Sequence, residues 1–254
     1  MSKKYTKAQI EKGISTFLRS RDGWNLYNHS HIKAKGETSK AEGKIPYTEI
    51  IARLLLEDVN FELFSRSLFS LKKKMSFQEG KGYNADHVIP TPEAFPKNPR
   101  REEEWIAKKL MREGRTFRQF GKVFDYQVPL TRDSSNESKF GKIDLVSRKG
   151  NEIYLLELKR PGSTETLLRC ILESYTYSQL IYTQKFVVDY AQELGNANAK
   201  DFTFIPCPLF FNDSQQHLEW QEMRKGNRPA LYELSKNLNV RFFVLQNEIE
   251  EPGL

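Results

Sequence analysis

Apolar residues recur at helical spacing three times in the first third of the chain, and that rhythm predicts a helical module. Ile10, Ile14, Phe17 and Leu18 mark one face of a helix that Thr6 can cap and that runs to about Arg19. Residues 20 to 45, rich in Gly, Asn, Ser and Lys, break the pattern and read as a loop. A second helix is expected after Pro46 and Thr48, through Ile50, Ile51, Leu54 and Leu55. A third carries Phe61, Phe64, Leu68, Phe69 and Leu71 and ends in Lys72, Lys73 and Lys74, where positive charge suits the C-terminal end of its dipole. Gly80, Gly82, Pro90, Pro92, Pro96 and Pro99 forbid a continuous helix, so residues 76 to 100 read as a connector.

Beyond the connector the period alternates between helix and strand. A helix is predicted at about 101 to 113, strands at 122 to 130, 141 to 147 and 152 to 160, and one long helix at about 164 to 194. Phe202 to Phe211 reads as a further strand, Gln215 to Lys225 and Pro229 to Asn237 as helices, and Val240 to Leu245 as a last strand. The expected class is α/β, with a basic helical module over 1 to 75 and a second domain over 101 to 254.

Composition narrows the setting. The chain has 254 residues, 38% hydrophobic and 29% charged, and no run approaches the roughly 18 apolar residues of a membrane helix. No apolar secretory region follows Met1, so the expectation is cytoplasmic. Cys170 and Cys207 are too few for a disulfide scaffold or a four-thiolate metal site and read as small buried apolar side chains. The net charge of +7 is localised, since residues 1 to 75 hold 15 Lys and Arg against 8 Asp and Glu and the remainder is formally neutral. A positive field of that kind suits nucleic acid as a partner.

The chemistry concentrates in two apolar runs, Gly141-Lys142-Ile143-Asp144-Leu145-Val146 and Ile153-Tyr154-Leu155-Leu156-Glu157-Leu158-Lys159, joined through Gly150 and Asn151. A β-hairpin is the natural reading. Strand alternation puts Glu157 and Lys159 on one face, and pairing brings Asp144 beside Glu157. Two carboxylates in a Leu- and Val-rich setting repel unless a cation neutralises them, and oxygen ligands suit Mg²⁺, with Mn²⁺ able to substitute. Asn84 to Pro90 hints at an HNH-type site but lacks the rest of that motif, and His29 and His31 in a polar loop read as surface residues.

Asp144 followed by Glu157-Leu158-Lys159 resembles the signature of the PD-(D/E)XK phosphodiesterase superfamily, which includes restriction enzymes and RecB-type nucleases. The resemblance covers roughly residues 100 to 245 and implies a restriction-endonuclease-like core of helix, mixed sheet and helix. It implies a Mg²⁺-dependent nuclease, a deoxyribonuclease before a ribonuclease. Asp144, Glu157 and the main-chain carbonyl of Leu158 would hold the metal, and Lys159 would handle the water. Among the acids that open the preceding helix, Glu103 shares the inward stripe of Ile106 and Leu110 and is the expected accessory acid, whereas Glu104 should face solvent. The Gln-x-x-x-Tyr of RecB-type members is here Glu173 and Tyr177, a departure that adds negative charge, with Arg169 one turn earlier. The competing reading is a non-catalytic nucleic-acid-binding or assembly protein on the same fold. The N-terminal module is expected to hold nucleic acid, a protein partner or a second copy of the chain.

Overall fold

A computed structural model of the protein describes residues 4–77, 79, 81–84, 89–91, 96, 98, 101–131 and 140–246. Among them run ten α-helical segments and six strands, an α/β arrangement around one mixed sheet. Four helices come first: α1 (Lys7–Leu18), α2 (Ser30–Lys33), α3 (Tyr47–Leu55) and α4 (Asp58–Lys72). Helix α5 (Glu102–Glu113) then precedes β1 (Thr116–Phe117), β2 (Gly121–Pro129), β3 (Lys142–Lys149) and β4 (Glu152–Leu158). Three consecutive helices, α6 (Leu167–Leu180), α7 (Thr183–Asp189) and α8 (Ala191–Leu194), lead to β5 (Thr203–Phe211), α9 (Gln215–Arg224), α10 (Pro229–Asn237) and β6 (Phe243–Leu245). No described helix is long and apolar enough to cross a membrane.

The strands lie in the order β1 to β6, antiparallel from β1 through β4 and parallel from β4 through β6. The predicted hairpin is present, with Lys149 opposite Glu152 and Gly150 in the left-handed region at φ +62°. Side-chain alternation along β4 divides the core into two layers. Tyr154, Leu156 and Leu158 pack toward α5 with Ile106, Ala107 and Leu110, while Ile153 and Leu155 pack toward α6 with Leu168, Ile171 and Leu172. Both faces of the hairpin are therefore covered, as the density of Leu and Val predicts.

The N-terminal helices join the second layer. Ile10, Ile14, Ile51, Phe64 and Leu68 belong to the same buried cluster as the α6 residues. Polar links reinforce the junction: Glu49 accepts from the backbone N–H groups of Ala230 (2.6 Å) and Leu231 (3.2 Å), and the Thr166 hydroxyl donates to the Ile32 carbonyl at 2.8 Å.

Three expectations need correction. The long helix at 164 to 194 is broken at Ile181, which is extended at φ −62° and ψ 135°. Tertiary hydrogen bonds replace the helical ones there: Lys72 Nζ donates to the carbonyls of Gln179 (2.8 Å) and Ile181 (2.7 Å), and Tyr182 N–H donates to the Tyr83 hydroxyl at 2.9 Å. Lys72 therefore closes the end of α6 as well as lying in the last turn of α4. The 20 to 45 loop contains a 3₁₀ segment, Gly23–Asn28, and the short α2. His31 is buried and packs edge-on against Tyr5, so it is a core side chain rather than a surface one. The HNH-like stretch falls partly outside the described residues, at 85 to 88.

Candidate active site

The register of the hairpin brings the signature residues together. Val146 pairs with Leu155, so Asp144 and Glu157, each two residues further on, project to the same α6-facing side. Asp144 Oδ2 accepts from the Leu158 N–H at 2.9 Å, which ties the carboxylate to the end of β4. Its Oδ1 accepts from Gln127 Nε2 at 2.8 Å. Gln127 stands opposite Asp144 on β2, between the pairs Tyr126–Leu145 and Val128–Ile143, and has a left-handed φ of +49°.

Lys159 leaves the end of β4, with its N–H bound to the Leu209 carbonyl of β5 at 2.8 Å. The residue is only 3% exposed, so the ammonium must find its partners inside the protein. It has three: Glu157 Oε1 at 2.7 Å, Glu173 Oε2 at 3.0 Å and Glu165 Oε2 at 3.2 Å. Helix α6 supplies the opposite wall. Thr166 caps it by accepting from the Arg169 N–H at 3.2 Å, which sets the helical phase so that Arg169, Glu173 and Tyr177 form a stripe one turn apart. Tyr177 donates to Glu173 Oε1 at 3.3 Å, and Arg169 pairs with Glu165 and, at 3.8 Å, with Glu173. Gly141, at φ +79°, passes close under Tyr177: a Cβ there would lie 2.5 Å from the phenol oxygen. Only glycine fits both the conformation and the space.

Helix α5 brings the predicted accessory acid alongside. Glu103 Oε1 accepts from the Arg160 N–H at 3.1 Å, and Glu102 pairs with the Arg160 guanidinium at 3.4 Å. Glu104 turns away, but it is partly buried and pairs with Lys108 along the helix at 2.9 Å. The Tyr27 ring, from the 3₁₀ segment of the N-terminal part, meets Tyr177 edge-on at 6.1 Å.

The cluster is electrostatically unbalanced. Asp144, Glu157, Glu173, Glu165 and Glu103 face the two cations Lys159 and Arg169. Burial, with Glu103 and Glu173 nearby and despite Lys159, pushes the Asp144 carboxyl up to about 7. Burial and the Glu173 charge hold Glu157 well above the usual carboxylate range. For Glu173 burial is outweighed by Lys159 and Arg169, so it sits below its ordinary value and carries the charge. Lys159 is held above its usual value because Glu157 and Glu173 overcome the cost of burying its ammonium. Three buried atoms of the cluster have no hydrogen-bond partner: Glu157 Oε2, Arg169 Nε, and Glu165 Oε2, which meets Lys159 only as an ion pair. A carboxylate oxygen left without a partner among other acids is costly; a proton, which the raised Glu157 carboxyl holds beside Glu173, or a bound cation would each relieve it. No three described His, Cys, Asp or Glu side chains come together in a ready-made metal cluster, because Asp144 is turned onto Leu158 and Gln127 and Glu157 onto Lys159. The donor set nevertheless fits a hard cation, being all oxygen and in excess of the positive charge.

The seven predicted side chains, Asp144, Glu157, Lys159, Glu103, Glu173, Tyr177 and Arg169, gather at one end of the hairpin. The main chain of Leu158 takes part through its N–H. Sequence reading missed Gln127, Glu165 and Tyr27. The i, i+4 spacing of Glu165 and Arg169 signalled the second, whereas the first depended on the register across β2 and β3. Comparisons of the chain with protein-family models, curated proteins and solved structures find no match.

Proposed function

We propose that the protein is a metal-dependent nuclease that hydrolyses phosphodiester bonds of nucleic acid, DNA in the first instance, on a PD-(D/E)XK-type core. The observation that carries this reading is the convergence of Asp144, Glu157 and Lys159 on one covered face of the sheet, with one Glu157 oxygen left without a partner. The order α5, β2, β3, β4, α6, β5 supports the restriction-endonuclease-like assignment.

Asp144 and Glu157 would hold Mg²⁺ or Mn²⁺, with the Leu158 carbonyl as a further ligand and Glu103 as the accessory acid. Such a cation neutralises charge on the phosphate and lowers the pKa of water. The residues themselves do the positioning. Leu158 N–H and Gln127 fix the Asp144 carboxylate from two sides, which removes rotamer freedom before any substrate arrives. Lys159 presents a permanently charged ammonium whose position is set by three carboxylates, and it can offset negative charge that builds on a phosphoryl oxygen. Glu173 holds that lysine in place, while Arg169 and Tyr177 in turn orient Glu173.

The same lysine favours a second reading, a nucleic-acid-binding or assembly protein without turnover, because its ammonium is already engaged by three acids. Incubation with labelled single-stranded and duplex DNA and RNA plus Mn²⁺ separates the two. The nuclease reading requires cleavage by the wild type and its loss in both Asp144→Ala and Lys159→Ala; substrate left intact by the wild type, or cut equally by the variants, contradicts it.

A further inference from the structure

A groove of about 800 Å³ lies between the end of α1, the 3₁₀ segment Gly23–Asn28 and α4. Its charged lining consists of Arg19, Arg21, Arg66 and Lys74 against the single acid Asp22. All four cations are solvent-exposed, so they can meet a ligand without rearranging the core. Among the described residues Arg66 is paired along its own helix, with Glu62 at 2.5 Å, and Arg21 with its neighbour Asp22 at 3.8 Å. These are surface ion pairs that exchange readily for a phosphate. Ser20, Ser67 and Ser70 also line the space.

The groove is not a uniform basic surface. Trp24, half-buried, forms part of its wall and is held edge-on against Phe140 at 5.9 Å. An aromatic ring fixed among guanidinium groups is the combination that binds single-stranded nucleic acid, where phosphates meet the cations and an unpaired base stacks on the ring. The segment that carries Trp24 into this groove also carries Tyr27 to Tyr177 in the candidate active site. Groove and site therefore share one structural element. Of the +7 carried by residues 1 to 75, the groove lining concentrates a net +3.

We propose that this groove binds the sugar–phosphate backbone of a single-stranded nucleic-acid segment, with Arg19, Arg21, Arg66 and Lys74 on phosphates and Trp24 under an unpaired base. It deepens the nuclease reading by giving the substrate a track, yet binding can be measured without turnover. A volume of several hundred Å³ is ample for a ligand subsite, and four cations around one opening suit a polyanion.

The test is fluorescence anisotropy with 5′-labelled twelve-nucleotide DNA and RNA strands, and with the matching DNA duplex, in EDTA over a salt series. The expected result is that Arg19→Ala/Arg66→Ala/Lys74→Ala weakens single-strand binding by about thirtyfold or more and flattens the log–log salt slope by about 2. A charge-matched control, Lys200→Ala/Lys225→Ala/Lys236→Ala on exposed sites elsewhere, should change affinity less than about threefold. Equal losses in both triple variants, an unchanged affinity in the groove variant, or a duplex bound as tightly as the single strand would overturn the proposal. The wild-type salt slope is an independent readout that needs no variant: a slope shallower than about −2 also overturns it. The DNA and RNA arms identify which backbone is taken. Binding through the groove with no Mn²⁺-dependent cleavage would leave this proposal standing while removing the nuclease reading; Mn²⁺-dependent cleavage together with unchanged affinity of the groove variant would do the reverse.

Discussion

Glu49 and Glu157 are both buried carboxylates, 4% and 5% exposed, and they are handled in opposite ways. Glu49 sits in the first turn of α3 and accepts from two backbone N–H groups at the start of α10, so it satisfies donors that a helix N-terminus leaves open and meets the positive end of its dipole. Glu157 shares its surroundings with four other acids, engages Lys159 through one oxygen and has nothing for the other. Burial of an acid is common to both, so burial alone does not mark a functional site. What distinguishes them is the balance of donors: the first carboxylate is satisfied by the fold, whereas the second lies among other acids and is held well above the usual carboxylate range.

The largest expected contrast is in catalysis. Asp144→Ala and Lys159→Ala should each lower the cleavage rate by roughly 10²–10³ or more, while Glu49→Ala should leave the rate per folded molecule within about twofold. A comparable loss in Glu49→Ala, corrected for the folded fraction by circular dichroism, would erase the distinction.

Stability should reverse the ranking. Removing Glu49 strips two backbone donors of a charged partner, a loss of about 1–3 kcal/mol, and should lower Tm by about 3–8 °C in a calorimetric scan. For Asp144 the direction depends on pH. Its folded pKa is raised from the model-peptide range to about 7, so the stability it contributes by binding a proton is fully present below its unfolded pKa and is lost as pH rises through 7. Without metal, the Tm of the wild type relative to Asp144→Asn should therefore fall by about 2–5 °C between pH 5 and pH 8. A difference that stayed flat or grew would contradict the assigned shift. The smallest effect is expected from Glu157→Gln, which keeps an acceptor for Lys159 and removes like-charge repulsion; the metal-free variant should melt about 1–3 °C higher than wild type at pH 8. A drop in Tm would mean that Glu157 is as fully satisfied as Glu49.

How much of this was written in the sequence depends on the range of the interactions involved. The hairpin was legible because alternation, a Gly-Asn turn and apolar density on both faces agree over residues 141 to 159. Glu103 could be chosen over Glu104 from helical phase alone, since Ile106 and Leu110 define the inward stripe. Gln127 could not be found in that way. The register shift between Val123 and Asp125 alters which residue of β2 faces Asp144, and a bulge of that kind leaves no periodic trace. The break after α6 was equally hidden: no Gly or Pro stands at Ile181 or Tyr182, and the helix ends because Lys72 and Tyr83, about a hundred residues away in the chain, take over its hydrogen bonds. Tyr27 was missed for the same reason, since its tie to Tyr177 exists only once the N-terminal helices have packed on α6.

The central claim is that Asp144 and Glu157 form a site for one divalent cation. Isothermal titration of the purified protein with Mn²⁺ at pH 8, compared with Asp144→Asn and Glu157→Gln, tests it most directly. The account predicts saturable binding of one ion per chain in the wild type, with proton release that diminishes as pH rises, and its loss in both variants. Absence of binding in the wild type, or binding that survives both substitutions, would contradict it.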